Sequence, residues 1–288
     1  IQWQQTYGGE GDDQLCSLQE TVDGGYILGG FSSSGETGNK TSPNFGNSDY
    51  WVVKVDADGN KQGEKSVGGS GSDELYSLQE TSDGGYILGG ISDSPVSGNK
   101  TTADFGSFDY WVVKLDVNGN KQWEQVFGGT NADYFSGLQQ TIDGGYILGG
   151  FSDSGVSGNK TSASFGGFDY WVIKLNASGD KLWEKSFGGD NDDWMNSLQK
   201  SADGGYTLGG YSISGMSGNK TNAGFGGYEY WVVKMDSSGD VVWEKSIADI
   251  DGADYCVSRL DAAGQTLWDK CTGGNDADIL CSIQPISY

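Results

Sequence analysis

"DGGYILGG" occupies residues 23–30, and the same eight letters return at 83–90 and 143–150, with "DGGYTLGG" at 203–210. The interval is 60 residues each time, without slippage. A fixed period of that length marks a supersecondary unit that cannot bury its own faces and is therefore stacked in copies. Within the phrase, Asp-Gly-Gly is turn chemistry and Tyr-Ile-Leu opens a strand. Working outward, one copy reads "YSLQETSDGGYILGGISDSPVSGNKTTADFGSFDYWVVKLDVNGNKQWEQVFGG" at 76–129. Four apolar runs stand out: "YSLQET", "YILGGIS", "DYWVVKLD" and "KQWEQVF". Aromatic and β-branched residues between Gly-containing turns predict four antiparallel strands per unit.

The chain has 288 residues, with 50 Gly, 3 Pro and 12% aromatics. Glycine at that density is costly in helices, while the aromatics supply large burial areas, so an all-β protein rather than a helical or disordered one is expected. Net charge is −23, with no histidine and a single arginine, Arg259. An exterior this acidic repels nucleic acid and anionic membranes. No apolar run is long enough to span a bilayer. The sequence opens inside a repeat, so any secretion signal is expected to have been removed or left out. Four cysteines permit two disulfides and suggest an oxidising, extracellular or cell-surface setting. Without CxxC spacing or histidine, no zinc site is expected.

Four-stranded units at fixed period predict a β-propeller of antiparallel blades. The first-strand motif occurs five times, aligning Asp13, Asp73, Asp133, Asp193 and Asp278. The second occurs four times, and the third five, at Tyr50, Tyr110, Tyr170, Tyr230 and Tyr255. The fourth occurs six times, at Trp3, Gly63, Trp123, Trp183, Trp243 and Trp268. Twenty strands make five blades: four full repeats at about 8–67, 68–127, 128–187 and 188–247, all in one domain, 1–288. The fifth is a composite of 248–288 with residues 1–7. The last segment matches 109–139 without a gap, which makes it third, fourth and first strand by descent. A simple meander would instead use it as inner, second and third strand, with "IQWQQTY" closing the ring from outside. The rival is an open assembly in which the end strands pair with a neighbouring chain. Cys256 and Cys271 fall opposite each other in the hairpin around Ala262–Gly264, so that bridge is favoured. Cys281 with Cys271 is also feasible, Cys16 lies on the adjoining blade, and the connectivity stays open.

The series "YILGG…DYWVVKLD…GNKQW" resembles kelch and quinoprotein-type blades, which set a double glycine, a Tyr and a Trp at such intervals. The longer phrase "FGGxxxDxxxSLQxTxDGGYILGG" looks like the tandem repeats of secreted, cell-surface bacterial and archaeal propellers. The resemblance covers about residues 1–247 and part of the remainder. It implies a fold and no reaction, and the cofactor-binding residues of quinoprotein members have no match here.

The loop between second and third strands is long in every copy, with a Gly-Asn-Lys-Thr core and a following Phe-Gly. Three roles compete for it. As scaffold, its Asn caps turns and its Phe plugs gaps. As a ligand site used four times, it offers an aromatic platform with polar groups suited to sugar hydroxyls. The candidates are Asn39, Lys40, Thr41, Phe45 and Asp49; Asn99, Lys100, Thr101, Phe105 and Asp109; Asn159, Lys160, Thr161, Phe165 and Asp169; and Asn219, Lys220, Thr221, Phe225 and Glu229. As a glycan carrier, it spells a sequon at Asn39, Asn99, Asn159 and Asn219, with Asn176 a fifth. The turns "DADGN" and "DVNGN" imitate a calcium loop but lack its bidentate Glu, so they read as hairpin turns. The clusters "EGDD", "DNDD" and "NDAD" leave calcium as the one ion to consider.

Without histidine, Ser-His-Asp and Cys-His catalysis is excluded. No phosphate-binding Gly loop leads into a helix. Paired carboxylates remain, but an acid repeated in every copy points to architecture. The expectation is a non-catalytic extracellular propeller with no catalytic residues and no cofactor, binding surface glycans or another ligand multivalently. The alternative is a structural subunit of a coat or filament, glycosylated and self-assembling through its terminal strands.

Overall fold

The computed structural model describes residues 2–248 and 254–273. Within them the protein is all-β, with no helix. Four consecutive sheets have the same four-stranded antiparallel meander. Sheet one holds β1 (Asp13–Glu20), β2 (Tyr26–Ser32), β3 (Asp49–Val55) and β4 (Lys61–Val67). Sheet two holds β5 (Asp73–Glu80), β6 (Tyr86–Ser92), β7 (Asp109–Leu115) and β8 (Lys121–Phe127). Sheet three holds β9 (Asp133–Gln140), β10 (Tyr146–Ser152), β11 (Asp169–Leu175) and β12 (Lys181–Phe187). Sheet four holds β13 (Asp193–Lys200), β14 (Tyr206–Ser212), β15 (Glu229–Met235) and β16 (Val241–Ala248). A hairpin, β17 (Asp254–Leu260) and β18 (Thr266–Gly273), follows.

The opening phrase is the turn between first and second strands plus the second strand itself. Gly24 sits at φ 80°, where a side chain would be strained, and Asp23 accepts from Thr21 Oγ1 and Gly25 N–H. The Lys54 ammonium from β3 closes on the same carboxylate at 2.9 Å. Further along the phrase, Gly29 lies where any Cβ would run into Leu75 and Leu78 of the next sheet. The first glycine of the pair is thus a site of close sheet-to-sheet approach.

Among the described residues each of the three junctions holds an apolar core, and a fourth, smaller cluster packs Trp51, Val53 and Val55 of sheet one against Tyr7. Between sheets one and two, Ile27, Tyr50 and Val52 meet Leu75, Leu88, Trp111 and Val113, all buried. Equivalent sets fill the next two junctions. Burying several large side chains at about 1.5–3 kcal/mol each is what makes the stack stable where a lone sheet would be marginal. Polar links recur across the same seams. Tyr50, Tyr110 and Tyr170 hydroxyls donate to the carbonyls of Trp111, Trp171 and Trp231. The repeated Gln accepts from the first strand of the next unit, Gln19 from Glu80 N–H and Gln79 from Gln140 N–H.

Both chain ends add contacts to the array. Residues 2–9 carry no strand, yet they contact sheet one as a fourth strand of a preceding unit would. The Trp3 indole lies on Gly59 and donates to Ala57 O, as Trp123 lies on Gly179 and Trp183 on Gly239. Gly9 N–H donates to Asp13 just as Gly69 N–H donates to Asp73. At the other end Trp243 lies on Gly264 and donates to Ala262 O. The turn ending β17 therefore relates to Trp243 as the turns ending β3, β11 and β15 relate to Trp3, Trp123 and Trp183. The β17–β18 turn thus makes the contact that a third-strand turn makes elsewhere in the array. Its register sets Cys256 opposite Cys271, whose side chains lie outside the described residues, as does Cys281. Cys16 is exposed and unpaired among the described residues.

Candidate functional site

The long loop of each sheet joins second and third strands, so the starts of β1 and β3 and the end of β2 share one rim with it. The Gly-Asn-Lys-Thr core lies under that rim and is occupied by the fold. Asn99 Oδ1 accepts from Gly68 N–H at 2.9 Å, and its Nδ2 donates to Ser66 O at 3.0 Å. Asn39, Asn159 and Asn219 make the same two bonds to Gly8 and Thr6, to Gly128 and Val126, and to Gly188 and Ser186. Each asparagine thereby ties a loop to the end of the preceding unit. Asn176 instead forms a hairpin turn, its Oδ1 accepting from Ser178 and Asp180 N–H.

The lysines point inward. Lys40, Lys100, Lys160 and Lys220 are at most 2% exposed. Their ammonium groups sit 5.6–5.9 Å above the rings of Trp51, Trp111, Trp171 and Trp231. Loop carbonyls such as Ser94 O and Thr102 O accept from Lys100. Burial lowers the Lys40, Lys100 and Lys160 ammoniums from their ordinary range. Thr41, Thr101, Thr161 and Thr221 are held through backbone N–H and hydroxyl by Glu64, Glu124, Glu184 and Glu244.

The carboxyls that begin the third strands are buried too. Asp49, Asp109 and Asp169 each accept from the backbone N–H of Phe45, Phe105 and Phe165. Burial raises Asp49 and Asp109 to about 7 and Asp169 to about 6, with Asp73, Asp133 and Asp193 across the seam adding to the rise. Glu229 is one methylene longer and reaches Lys220 at 2.7 Å. Of the whole predicted set, Asn39, Asn219, the four threonines and Phe105, Phe165 and Phe225 keep exposed surface and Phe45 is half-buried; Phe45, Phe105 and Phe165 rest on Gly98, Gly158 and Gly218 of the next loop. The turns once compared with calcium loops are internally satisfied: Asp56 Oδ1 accepts from Asp58 and Asn60 N–H, and Asp116 does the same with Asn118 and Asn120. No group of three metal-ligating side chains occurs among the described residues.

What the rim does present is a ribbon of partly exposed aromatic rings that the repeat pattern did not reveal. It runs Phe108, Tyr134, Phe151, Phe168, Trp194, Tyr211 and Tyr228. Ring centroids are 6.1 Å apart for Phe108–Tyr134, 5.3 Å for Tyr134–Phe151, 5.4 Å for Phe151–Phe168, 6.4 Å for Phe168–Trp194 and 4.8 Å for Trp194–Tyr211. Tyr228 is 62% exposed at its end, stacked 6.2 Å from Trp194. Three positions build it: second in the first strand, second from last in the second strand, and the residue before the third strand. Sheets three and four fill all three with aromatics. Sheet one has Gln14, Phe31 and Ser48 there, and sheet two Glu74, Ile91 and Phe108. Asn131, Asp190 and Asn191 are exposed beside it. The signal that could have found it is the departure from identity at aligned positions, which averaging over repeats conceals.

A cleft of about 320 Å³ lies elsewhere, between sheets one and two, lined by Ile27, Lys54, Gly63, Tyr86, Leu115 and Gly119. Its origin is a missing ring: position 63 is Gly where the other units carry Trp, and Gly119 lacks the indole that covers Gly179 and Gly239.

No family model matches the chain. It is 26% identical over 199 residues to the regulatory protein FlaEY of Caulobacter vibrioides, a match covering 64% of this chain and 21% of that protein. The chain thus spans about a fifth of that relative's length. Among solved structures, a protein of unknown function from Bacteroides caccae aligns over 81% of this chain and 82% of its own, at 13% identity and TM-score 0.32. Sqt1 from Chaetomium thermophilum aligns over 94% of this chain and 74% of its own, at 12% identity and TM-score 0.43.

Proposed function

We propose that this protein is a carbohydrate-binding module that works outside the cell or on its surface, and that its four sheets are blades of a five-bladed β-propeller completed by both chain ends. The observation that carries the binding reading is the aromatic ribbon. A run of partly exposed rings at stacking distances, rimmed by Asn and Asp, is costly to leave in water unless something covers it. Pyranose rings have apolar C–H faces that lie flat on Trp and Tyr, while amide and carboxylate groups at the edge take the hydroxyls. The acidic exterior argues against anionic partners and leaves neutral glycans as the ligand class. Several rings in line suit an extended chain with adjacent sugars on successive rings. The protein binds without transforming its ligand.

The test is a screen of neutral oligosaccharides on a glycan array, followed by titration monitored through tryptophan emission. Binding of a neutral glycan that perturbs Trp194 emission is expected. Absence of binding across neutral polysaccharides, or release of reducing ends from them, would overturn the reading. Sedimentation as a concentration-dependent polymer would favour the coat or filament subunit instead.

A further inference from the structure

The turn between third and fourth strands is built alike in every unit. Gly59, Gly119, Gly179, Gly239 and Gly264 all sit at φ between 76° and 85°. Among the described residues four of them carry an indole: Trp3 lies on Gly59, Trp123 on Gly179, Trp183 on Gly239 and Trp243 on Gly264. Those four glycines are buried beneath their rings. Two further contacts fix the ring. Its N–H donates to the carbonyl of the turn's second residue, Trp3 to Ala57 O at 2.9 Å and Trp243 to Ala262 O at 3.1 Å. The tyrosine that opens the second strand meets it edge-on, with Tyr26 6.0 Å from Trp3 and Tyr146 5.7 Å from Trp123.

The seat on Gly119 has the same parts and no ring. Gly119 keeps φ 76°, and Asp116 Oδ1 still accepts from Asn118 and Asn120 N–H, so the turn has not moved to fill the gap. Tyr86 stands at the position of Tyr26 and Tyr146, and Val117 is the turn's second residue. Lys54 pairs with Gly63 in the ladder as Lys114 pairs with Trp123 and Lys174 with Trp183. A Cβ added at Gly63 or at Gly119 would meet nothing within 4 Å. Gly119 is only half-buried as a result. Ile27, Leu115 and Tyr86, all buried, give the cleft apolar walls. A cavity of about 150 Å³ is enough for benzene, and this one, at about 320 Å³, has room for a bicyclic ring.

We propose that this cleft is a binding site for a free indole, a small neutral ring that takes the seat left by residue 63. The ligand lies on the Gly119 backbone, meets the Tyr86 ring edge-on and donates its N–H to Val117 O. Apolar walls drive the ring in, and the single acceptor orients it. The filled seats also set a limit on substituents. In them, the Cβ on indole C3 ties the ring to the fourth strand. A free indole in that pose turns C3 towards Gly63, where the open space admits a methyl group. The charged chain of tryptophan would instead run into the β4 backbone. The site therefore takes indole and 3-methylindole and rejects tryptophan. It is separate from the aromatic ribbon and rests on neither the glycan reading nor the ring closure.

The test is a titration of the isotope-labelled full chain with indole, followed through backbone amide shifts. Saturable shifts at Gly63 and Gly119 are expected, with a Kd of about 0.1–1 mM, the reach of so small a ligand. Benzofuran, which has the shape without the donor, should bind about tenfold more weakly, and tryptophan more weakly still. Gly63→Trp fills the seat from within and should abolish the response at Gly119. Trp123→Gly should open a second seat over Gly179 and bring its amide into the titration. If that variant fails to fold, Gly63→Trp decides alone. No saturable shift by about 10 mM indole, or shifts that persist in Gly63→Trp, would overturn the proposal. So would a dimer that Gly63→Trp dissociates, since the seat would then belong to a second copy. Failure of glycan binding would leave it standing.

Discussion

The frame beneath the rim and the ribbon upon it are built from neighbouring residues and obey opposite rules. In the frame the units repeat side chains and bonds with few departures, such as Gly63 and Glu229: Asn to the preceding glycine and Lys over Trp in all four, and Tyr hydroxyl to the next Trp carbonyl at three junctions. In the ribbon, positions one residue away change from Gln14 through Glu74 and Tyr134 to Trp194. The difference teaches how to read a repeat protein. Identity between copies reports what each copy must do to stack, whereas departure from it reports what the rim can do differently from place to place. Residues most suggestive of a ligand site, such as Lys100 and Asn99, belong to the frame because their polar atoms are already spent.

The sharpest way to break the comparison is to strike the frame. Trp111 is fully buried, with Lys100 above it and Tyr50 beside it at 4.8 Å. Trp111→Ala should cost about 3–5 kcal/mol in urea unfolding, the range for removing a large buried aromatic, and leave Lys100 without its platform. A change below 1 kcal/mol would mean that the junctions are not what holds the sheets.

Trp194→Ala strikes the ribbon. Its ring stacks among partly exposed neighbours, so unfolding should shift little while glycan affinity falls by about 2 kcal/mol, roughly thirtyfold. Equal losses of stability and affinity would collapse the distinction between ribbon and frame. Gly63→Trp sharpens it in the other direction by restoring the frame's missing ring over Gly119. Filling that cleft and removing a strand glycine should stabilise the protein by about 1 kcal/mol, without altering glycan binding.

A pH dependence belongs to the frame alone. Asp49, Asp109 and Asp169 are raised to about 7, 7 and 6, against about 3.9 for an unfolded Asp. Folding therefore favours their protonated form, and the stability they contribute is complete below about pH 4 and drains as pH climbs to 6–7. Asp83 and Asp143 act in the opposite sense. Thr81 and Thr141 hydroxyls and the Lys114 and Lys174 ammoniums hold them at about 2, so their contribution is lost as pH falls from 4 towards 2. The unfolding temperature should peak between about pH 4 and 5 and decline towards 8. Asp109→Asn should flatten that decline, and a profile unchanged by it would refute the assignment.

Much of the fold was legible because its causes are local. Tyr-Ile-Leu-Gly-Gly, Asp-Tyr-Trp-Val-Val and the Asp/Asn-Gly turns specify strands and hairpins through neighbours within a few residues, and the 60-residue period reports that they stack. The loop residues were legible as important, with three roles open for them, scaffold among these. Whether Lys100 reaches into solvent or folds back over Trp111 depends on the path of a loop that ends eight residues later, and no local propensity encodes it. The seat of Trp243 on Gly264 was similarly hidden: strand direction and motif allow two orders of the last strands, and neither encodes that contact.

By itself, the sequence determined the repeating strand pattern, the turns and the acidic, histidine-free chemistry, since these follow from composition and short-range spacing. Only the tertiary structure decided which polar side chains are buried and which aromatic rings meet. Tyr134, Phe151 and Phe168 are 17 residues apart from one to the next, and Trp194 comes 26 later. They become neighbours because antiparallel register folds each unit back on itself and packing sets one sheet beside the next. A ribbon of that kind exists only in the folded array.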